Sequence, residues 1–241
     1  MIERLAENGP MGIMDLSAEL GFHKSTTHRL VTSLQYMGYI RQDEESLKYA
    51  LSLKFLEIGS KILEQTNMAS LIHPSLKKLS EQTGETVHLV RREGTEAVYI
   101  DKVESTVSSI RMVSRVGSRI PLYCSGVGKA LLAELPDPEI EDIWNSSEIT
   151  SLTPYTVTSL SDLMDRIRGV REAGYAMDDE ENEEGVRCIA VSIPDYHKEP
   201  VYALSISAPV SRMTDARIAE LSTDVLTFKK DLEKTLGFSR S

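Results

Sequence analysis

The sequence predicts an α+β protein: an N-terminal winged helix-turn-helix, then a larger domain of antiparallel sheet with flanking helices. Three observations predict it. Residues 13–38 carry two helical apolar stripes separated by Gly21. Residues 39–51 then read as two short strands, YIRQ and LKYAL, around the acidic turn DEES. From Glu85 the apolar period changes from that of a helix to that of a strand, with short turns between the strand-like segments.

Residues 1–9, MIERLAENG, end a helix at Gly9 and Pro10, with Ile2 and Leu5 placed to pack on the next helix. This helix is short for the first of a helix-turn-helix, so a natural start upstream of Met1 is expected. Ile13, Leu16 and Leu20 form the next stripe, closed by Gly21. In the helix after it, Leu30, Leu34 and Met37 stand at i, i+4 and i+7 and are expected to be buried. Ser25 or Thr26 is expected to cap its N-terminus and Gly38 to supply a left-handed C-cap.

The first turn and a half of that helix is a poor choice for a core. Lys24, Ser25, Thr26, Thr27, His28 and Arg29 are hydroxyls and cations. A winged helix-turn-helix lays the start of its second helix in the DNA major groove. These six residues, with Arg41 and Lys48 on the wing, are therefore candidate DNA contacts. Arg29 has the reach to span O6 and N7 of a guanine. The alternative is a three-helix packing module with a hydroxyl-rich helix start. The joint occurrence of helix, turn, helix and wing favours DNA.

Charge pulls the other way. The net charge of the 241 residues is −10, which excludes wholesale coating of nucleic acid. Residues 1–60 hold six Lys/Arg against eight Asp/Glu, a balance of −2. Between Gly21 and Gln42, however, stand Lys24, Arg29, Arg41 and two histidines with no acid. A local cationic face of this kind predicts site-specific binding with a modest salt slope. No apolar run reaches the roughly 20 residues of a membrane span, and no signal peptide is visible. Cys124 and Cys188 make no disulfide framework, so a reducing cytoplasm is expected.

Residues 52–66 predict a linker helix between a DNA-binding domain over 1–51 and a second domain over 67–241. Leu53, Leu56 and Leu63 lie near one face and Phe55, Ile58 and Ile62 near another. Such a wide apolar arc suits two neighbours, either a partner subunit or the chain's own core. A further helix is expected over 69–82. TVHLV, AVYIDKV and SIRMV then predict a meander, with GSRIPL and YCSG leading into the helix VGKALLAEL. Two more helices are expected over 137–144 and 161–173. GYAMDDEENEEG reads as an acidic loop opening into the strand VRCIAVSI, with VYALSISAP as its antiparallel partner. Thr214-Asp215 caps a final helix whose stripe is Ile218, Leu221, Val225, Phe228 and Leu232.

Several motifs invite chemistry. CSGVGKA fails as a phosphate loop: Tyr123 stands where the first Gly is needed, and Ala130 where Ser or Thr should follow Lys129. The segment is either an anion-holding helix start at Ser125, Gly126, Val127 and Gly128, or a packing turn that needs small residues. His73, His88, His197 and the two cysteines show no paired metal-ligand spacing, so neither metal nor cofactor is expected. Asp178 with Cys188 could supply at most two ligands. Neither cysteine has an oriented base beside it in sequence, which disfavours a thiol enzyme acting on keto acids. Asp178 and Cys188 lie at the mouth of the second hairpin, and Ser205 and Ser207 share one face of its partner strand. These four predict a small polar pocket suited to a hydroxylated or keto acid.

STTHRL in a winged helix, the linker helix, and GYAMDDEENEEGVRCIAVSI followed by YALSISAP together resemble the isocitrate lyase regulator (IclR) family of bacterial transcription factors. The resemblance spans essentially the whole chain. ESLKYALSLKFLEIG, ETVHL, SIRMVSRVGSRIPLY and GKALLA are further similar to the branch regulating 2-keto-3-deoxygluconate (KDG) catabolism. STTHR is closer to the glyoxylate-responsive regulator. The resemblance implies a GAF-like effector domain, and dimers or tetramers on palindromic operator DNA. It also implies an effector cleft at Met112, Gly126, Val127, Asp178, Cys188, Ser205 and Ser207. The expected protein is a cytoplasmic repressor of carbon catabolism, not an enzyme, whose effector is a small carboxylate such as KDG or a glyoxylate-like acid.

Overall fold

A computed structural model gives the fold, describing residues 1–65, 67–105, 113–195, 197 and 199–236. The chain divides into two compact units, Met1–Asn67 and Met68–Ser241.

The first unit holds α1 (Ile2–Asn8), α2 (Ile13–Leu20), α3 (Lys24–Tyr36), β1 (Ile40–Gln42), β2 (Tyr49–Leu51) and α4 (Lys54–Gln65). Gly21 ends α2 at φ 64°, a left-handed conformation that glycine adopts without steric cost. Gly38, at φ 78°, closes α3 as expected: its N–H donates to the Gln35 carbonyl, and Tyr39 N–H to that of Leu34. The antiparallel wing pairs Arg41 with Ala50. Met11 adds a bridge to Tyr49 that no sequence pattern announced.

Two expectations about α3 need correction. Its N-cap is His23 with no side-chain cap, and Ser25 and Thr26 lie inside the first turn. The buried stripe is also rotated. Leu30 and Met37 are 41% and 46% exposed, whereas Thr27 and Val31 are buried and Leu34 is half-buried. The spacing i, i+4, i+7 is kept, but the stripe turns by about 60° around the axis. Val31 joins the core of Leu5, Leu16, Ile40 and Tyr49. Thr27 enters it because its methyl packs while its hydroxyl donates back to the His23 carbonyl at 3.3 Å. Leu53, just before α4, and Leu56 on it are exposed. The side chains of Ile62 and Leu63 lie outside the described residues.

The second unit holds α5 (Met68–Thr83), β3 (Thr86–Glu93), β4 (Glu96–Val103), β5 (Arg119–Pro121), α6 (Gly126–Leu132), α7 (Asp137–Asn145), α8 (Leu160–Ala173), β6 (Ala176–Asp179), β7 (Val186–Ile193), β8 (Tyr202–Pro209) and α9 (Asp215–Thr235). The six strands form one antiparallel sheet in the order β5-β4-β3-β8-β7-β6. β6 replaces part of a segment expected to be a loop, and β5 forms in GSRIPL, where no strand was expected. Each is an edge strand of three or four residues, too short for alternation to announce it. The third meander strand expected at SIRMV falls almost wholly outside the described residues.

Strand alternation splits the unit into two cores. Val87, Leu89, Ile189, Val191, Leu204 and Ile206 meet Ile72, Leu76 and Leu79 of α5 and Leu221 and Val225 of α9. Val90, Ala97, Ala190 and Ala203 point the other way, toward Leu131 of α6, Ile140 of α7 and Ile167 of α8. Small residues on that second face let α6 lie close. A Cβ on Gly128 would stand 2.1 Å from the Leu122 carbonyl oxygen. Gly128 is therefore fixed by backbone approach, which supports the packing reading of CSGVGKA at that position.

Candidate functional site: a recognition helix and a polar cleft

On α3, Lys24, Ser25, Thr26, His28 and Arg29 are exposed, as are Arg41 and Lys48 on the wing. Thr27 is not among them, because it is buried in the unit's own core. That removes it as a DNA contact. Among the described residues, none of Lys24, Arg29, Arg41 and Lys48 forms an ion pair. The hydroxyls of Thr32 and Ser33 return to the carbonyls of His28 and Arg29, both at 2.9 Å. With no side-chain cap at His23, the first-turn N–H groups and the positive dipole end are left for an anion.

The cleft in the second unit arises from register. Asp178 pairs with Cys188, Cys188 with Ser207, and Ser207 with Thr86 across β6, β7, β8 and β3. The neighbouring row runs Ala190, Ser205, His88, Lys102. Period-two alternation turns both rows to the α6 face. There they meet the start of α6, and Gly126, Val127, Asp178, Cys188, Ser205 and Ser207 line one small cleft that opens to solvent. A Cβ on Gly126 would touch Ala190 and Asp178 at 3.4 Å, so glycine keeps that wall thin. Met112 lies outside the described residues.

Burial pushes the Asp178 carboxyl up to about 7. The Lys129 charge and N–H groups of Glu181 (2.8 Å) and Asn182 (3.3 Å) hold it from going further. The acidic run is not a solvated loop throughout. Glu181 is buried and pairs with the equally buried Lys129. Thr153 and Thr156 hydroxyls donate to the carbonyls of Glu180 and Glu181 at 2.7 and 2.6 Å. Gly185 N–H donates to the Glu180 carboxylate at 2.8 Å. The turn after Asp178 is thus fixed on three sides. Cys124 is fully buried, with its thiol pushed up to about 12, and burial raises Cys188 as well. Neither is a ready nucleophile. Among the described residues no cluster of three or more His, Cys, Asp or Glu is arranged to hold a metal.

Sequence reasoning missed His88, Tyr99, Ser114, Asn182 and Glu183, which also line the cleft. His88 Nδ1 stands 3.3 Å from both Ser205 and Ser207 Oγ, and its Nε2 is 2.8 Å from Ser114 Oγ. A histidine inside the apolar strand TVHLV was the available signal. Its meaning needed the β3–β8 pairing, which joins strands more than a hundred residues apart.

A winged helix-turn-helix succeeded by a separate α+β domain with a buried polar cleft is the build of a transcriptional regulator. Residues 1–44 match the IclR helix-turn-helix domain, and residues 60–233 match the domain described as bacterial transcriptional regulator IclR C-terminal. The chain is 37% identical over 243 residues to the acetate operon repressor of Salmonella typhimurium, covering 100% of this chain and 88% of that one. It is 35% identical to the regulator KdgR of Escherichia coli, covering 99% and 90%. Among solved structures, the Agobacterium tumefaciens repressor BlcR superposes with a TM-score of 0.82 at 25% identity, covering 99% and 95%. The protein belongs to the IclR family of bacterial transcriptional regulators. Among the described residues no helix is long and apolar enough to cross a membrane.

Proposed function

We propose that the protein is a repressor whose hold on operator DNA is set by a small keto or sugar acid in the second unit's cleft. The convergence of Asp178, Cys188, Ser205, Ser207 and His88 on one small cleft supports this most strongly. Two hydroxyls and two backbone N–H groups at Gly126 and Val127 suit a carboxylate. A carboxyl poised near neutrality suits a neighbouring hydroxyl or keto oxygen. The named relatives include an acetate operon repressor and KdgR, which keeps both a two- or three-carbon acid and KDG in play.

The DNA side rests on Lys24, Ser25, Thr26, His28 and Arg29, with Arg41 and Lys48 flanking. Dimer half-sites one turn apart must match recognition helices ~34 Å apart, so a small rotation between subunits breaks simultaneous fit. The acid acts only through its different affinity for the two arrangements. The test uses genomic DNA fragments selected by the wild-type protein. Arg29→Ala should weaken their retention by about 1–3 kcal/mol while calorimetry with KDG or glyoxylate stays unchanged. Unchanged gel shifts would remove α3 from the interface.

A further inference from the structure

The cleft holds a group that the acid-binding reading does not use. His88 is 3% exposed and faces the floor of the cleft. Its Nδ1 lies equidistant, at 3.3 Å, from the hydroxyls of Ser205 and Ser207, which are 3.4 Å from each other. Its Nε2 meets Ser114 Oγ at 2.8 Å, and the Ser114 carbonyl accepts from Lys102 Nζ at 2.8 Å. The Tyr99 ring packs edge-on at 5.1 Å. Burial and the Lys102 charge push the imidazole down to about 3, so it stays neutral and carries one N–H. That single proton must serve two sides.

We infer that His88 is an effector-reading residue whose tautomer reports whether the serine pair is occupied. The inference rests on the acid-binding reading of the cleft. Without ligand, one serine hydroxyl donates to Nδ1, and Nε2–H donates to Ser114 Oγ. A carboxylate is acceptor-only and draws both serine protons to itself. Nδ1 then faces only serine lone pairs. The stable answer places the proton on Nδ1, donating to a serine oxygen. Nε2 becomes the acceptor, and the Ser114 hydroxyl turns to donate to it. One proton leaves Nε2 and one arrives at Nδ1, so the imidazole stays neutral and no net charge is created. Occupation at Ser205 and Ser207 thereby reverses a hydrogen bond to Ser114 on the far side of the ring. A neutral ligand that brings its own hydroxyl donor does not force the change.

The experiment uses the full chain labelled with ¹⁵N-histidine. The protein has five histidines, and the His88 signals are assigned by their loss in His88→Phe. Glyoxylate, pyruvate and KDG are the probes, with glycerol as the neutral control. Binding of an acid should move Nδ1 from a pyridine-like to a pyrrole-like shift and Nε2 the opposite way, with glycerol leaving both in place. His88→Phe should lose about tenfold in acid affinity by calorimetry. His88→Asn keeps an amide near the Nδ1 position and should lose less. Acid binding with unmoved His88 signals and His88→Phe within twofold of wild type would overturn the role of His88 and leave the acid-binding reading standing. Failure of all three acids to bind wild type at millimolar concentration would overturn both.

Discussion

Replacing Lys129 by methionine should cost the second unit about 3–5 kcal/mol, because it breaks a buried ion pair from one side. The side chains of Lys129 and Glu181 are only 2% and 3% exposed, and the second Glu181 oxygen has no partner among the described residues. Asp178 lies close enough for the lysine charge to act on its carboxyl. Without Lys129, two buried carboxyl groups share one corner with no cation. At about 2–4 °C per kcal/mol for a domain of this size, the midpoint of thermal unfolding should fall by roughly 6–20 °C. The double variant Lys129→Met/Glu181→Leu removes both charges and fills similar volume. It should recover to within about 1.5 kcal/mol of wild type. Urea unfolding monitored by circular dichroism measures all three proteins. A single variant within about 1 kcal/mol of wild type, or a double variant no better than the single, would refute the argument that this pair pins the turn after Asp178 to α6.

The same geometry sets other outcomes. Gly128→Ala drives a Cβ into the Leu122 backbone and should destabilise by about 3 kcal/mol or more, read from the urea midpoint. Asp178 binds its proton more tightly folded than unfolded, so the native state holds the extra proton between about pH 4 and pH 7. Stability from this group is therefore full below pH 4 and is lost as pH rises to about 7, and Asp178→Asn should flatten that slope in a pH series of unfolding curves. Thr27→Val should leave retention of selected DNA fragments within twofold, since the side chain is buried. A large loss without unfolding would place it at the DNA after all.

The long helices were legible because their stripes, caps and terminal glycines agree. The final helix runs from Asp215 with Thr214 as its cap, and Gly21, Gly38 and Gly174 close their helices in left-handed conformation. The rotation of α3 was not legible. Thr27 counts as polar in a pattern, yet its hydroxyl is satisfied within its own helix, so it buries as readily as Val31. Edge strands β5 and β6 were missed for their length. Within the cleft, Asp178, Cys188, Ser205 and Ser207 were found because a turn or an i, i+2 spacing ties them together locally. His88 and the Lys129–Glu181 pair depend on contacts between distant segments, 117 residues apart for His88 and Ser205. The charge pattern of DDEENEE gave no sign that its fourth acid was buried.

On the proposed reading, acid in the cleft changes the grip on DNA. Fluorescence anisotropy of a labelled, selected DNA fragment, titrated with protein in the presence and absence of saturating acid, tests it directly. The wild-type dissociation constant should shift by about 5–150-fold, and Ser207→Ala should show no shift while binding DNA without acid as wild type does. A wild-type protein that binds acid by calorimetry yet gives superimposable DNA curves would contradict the account.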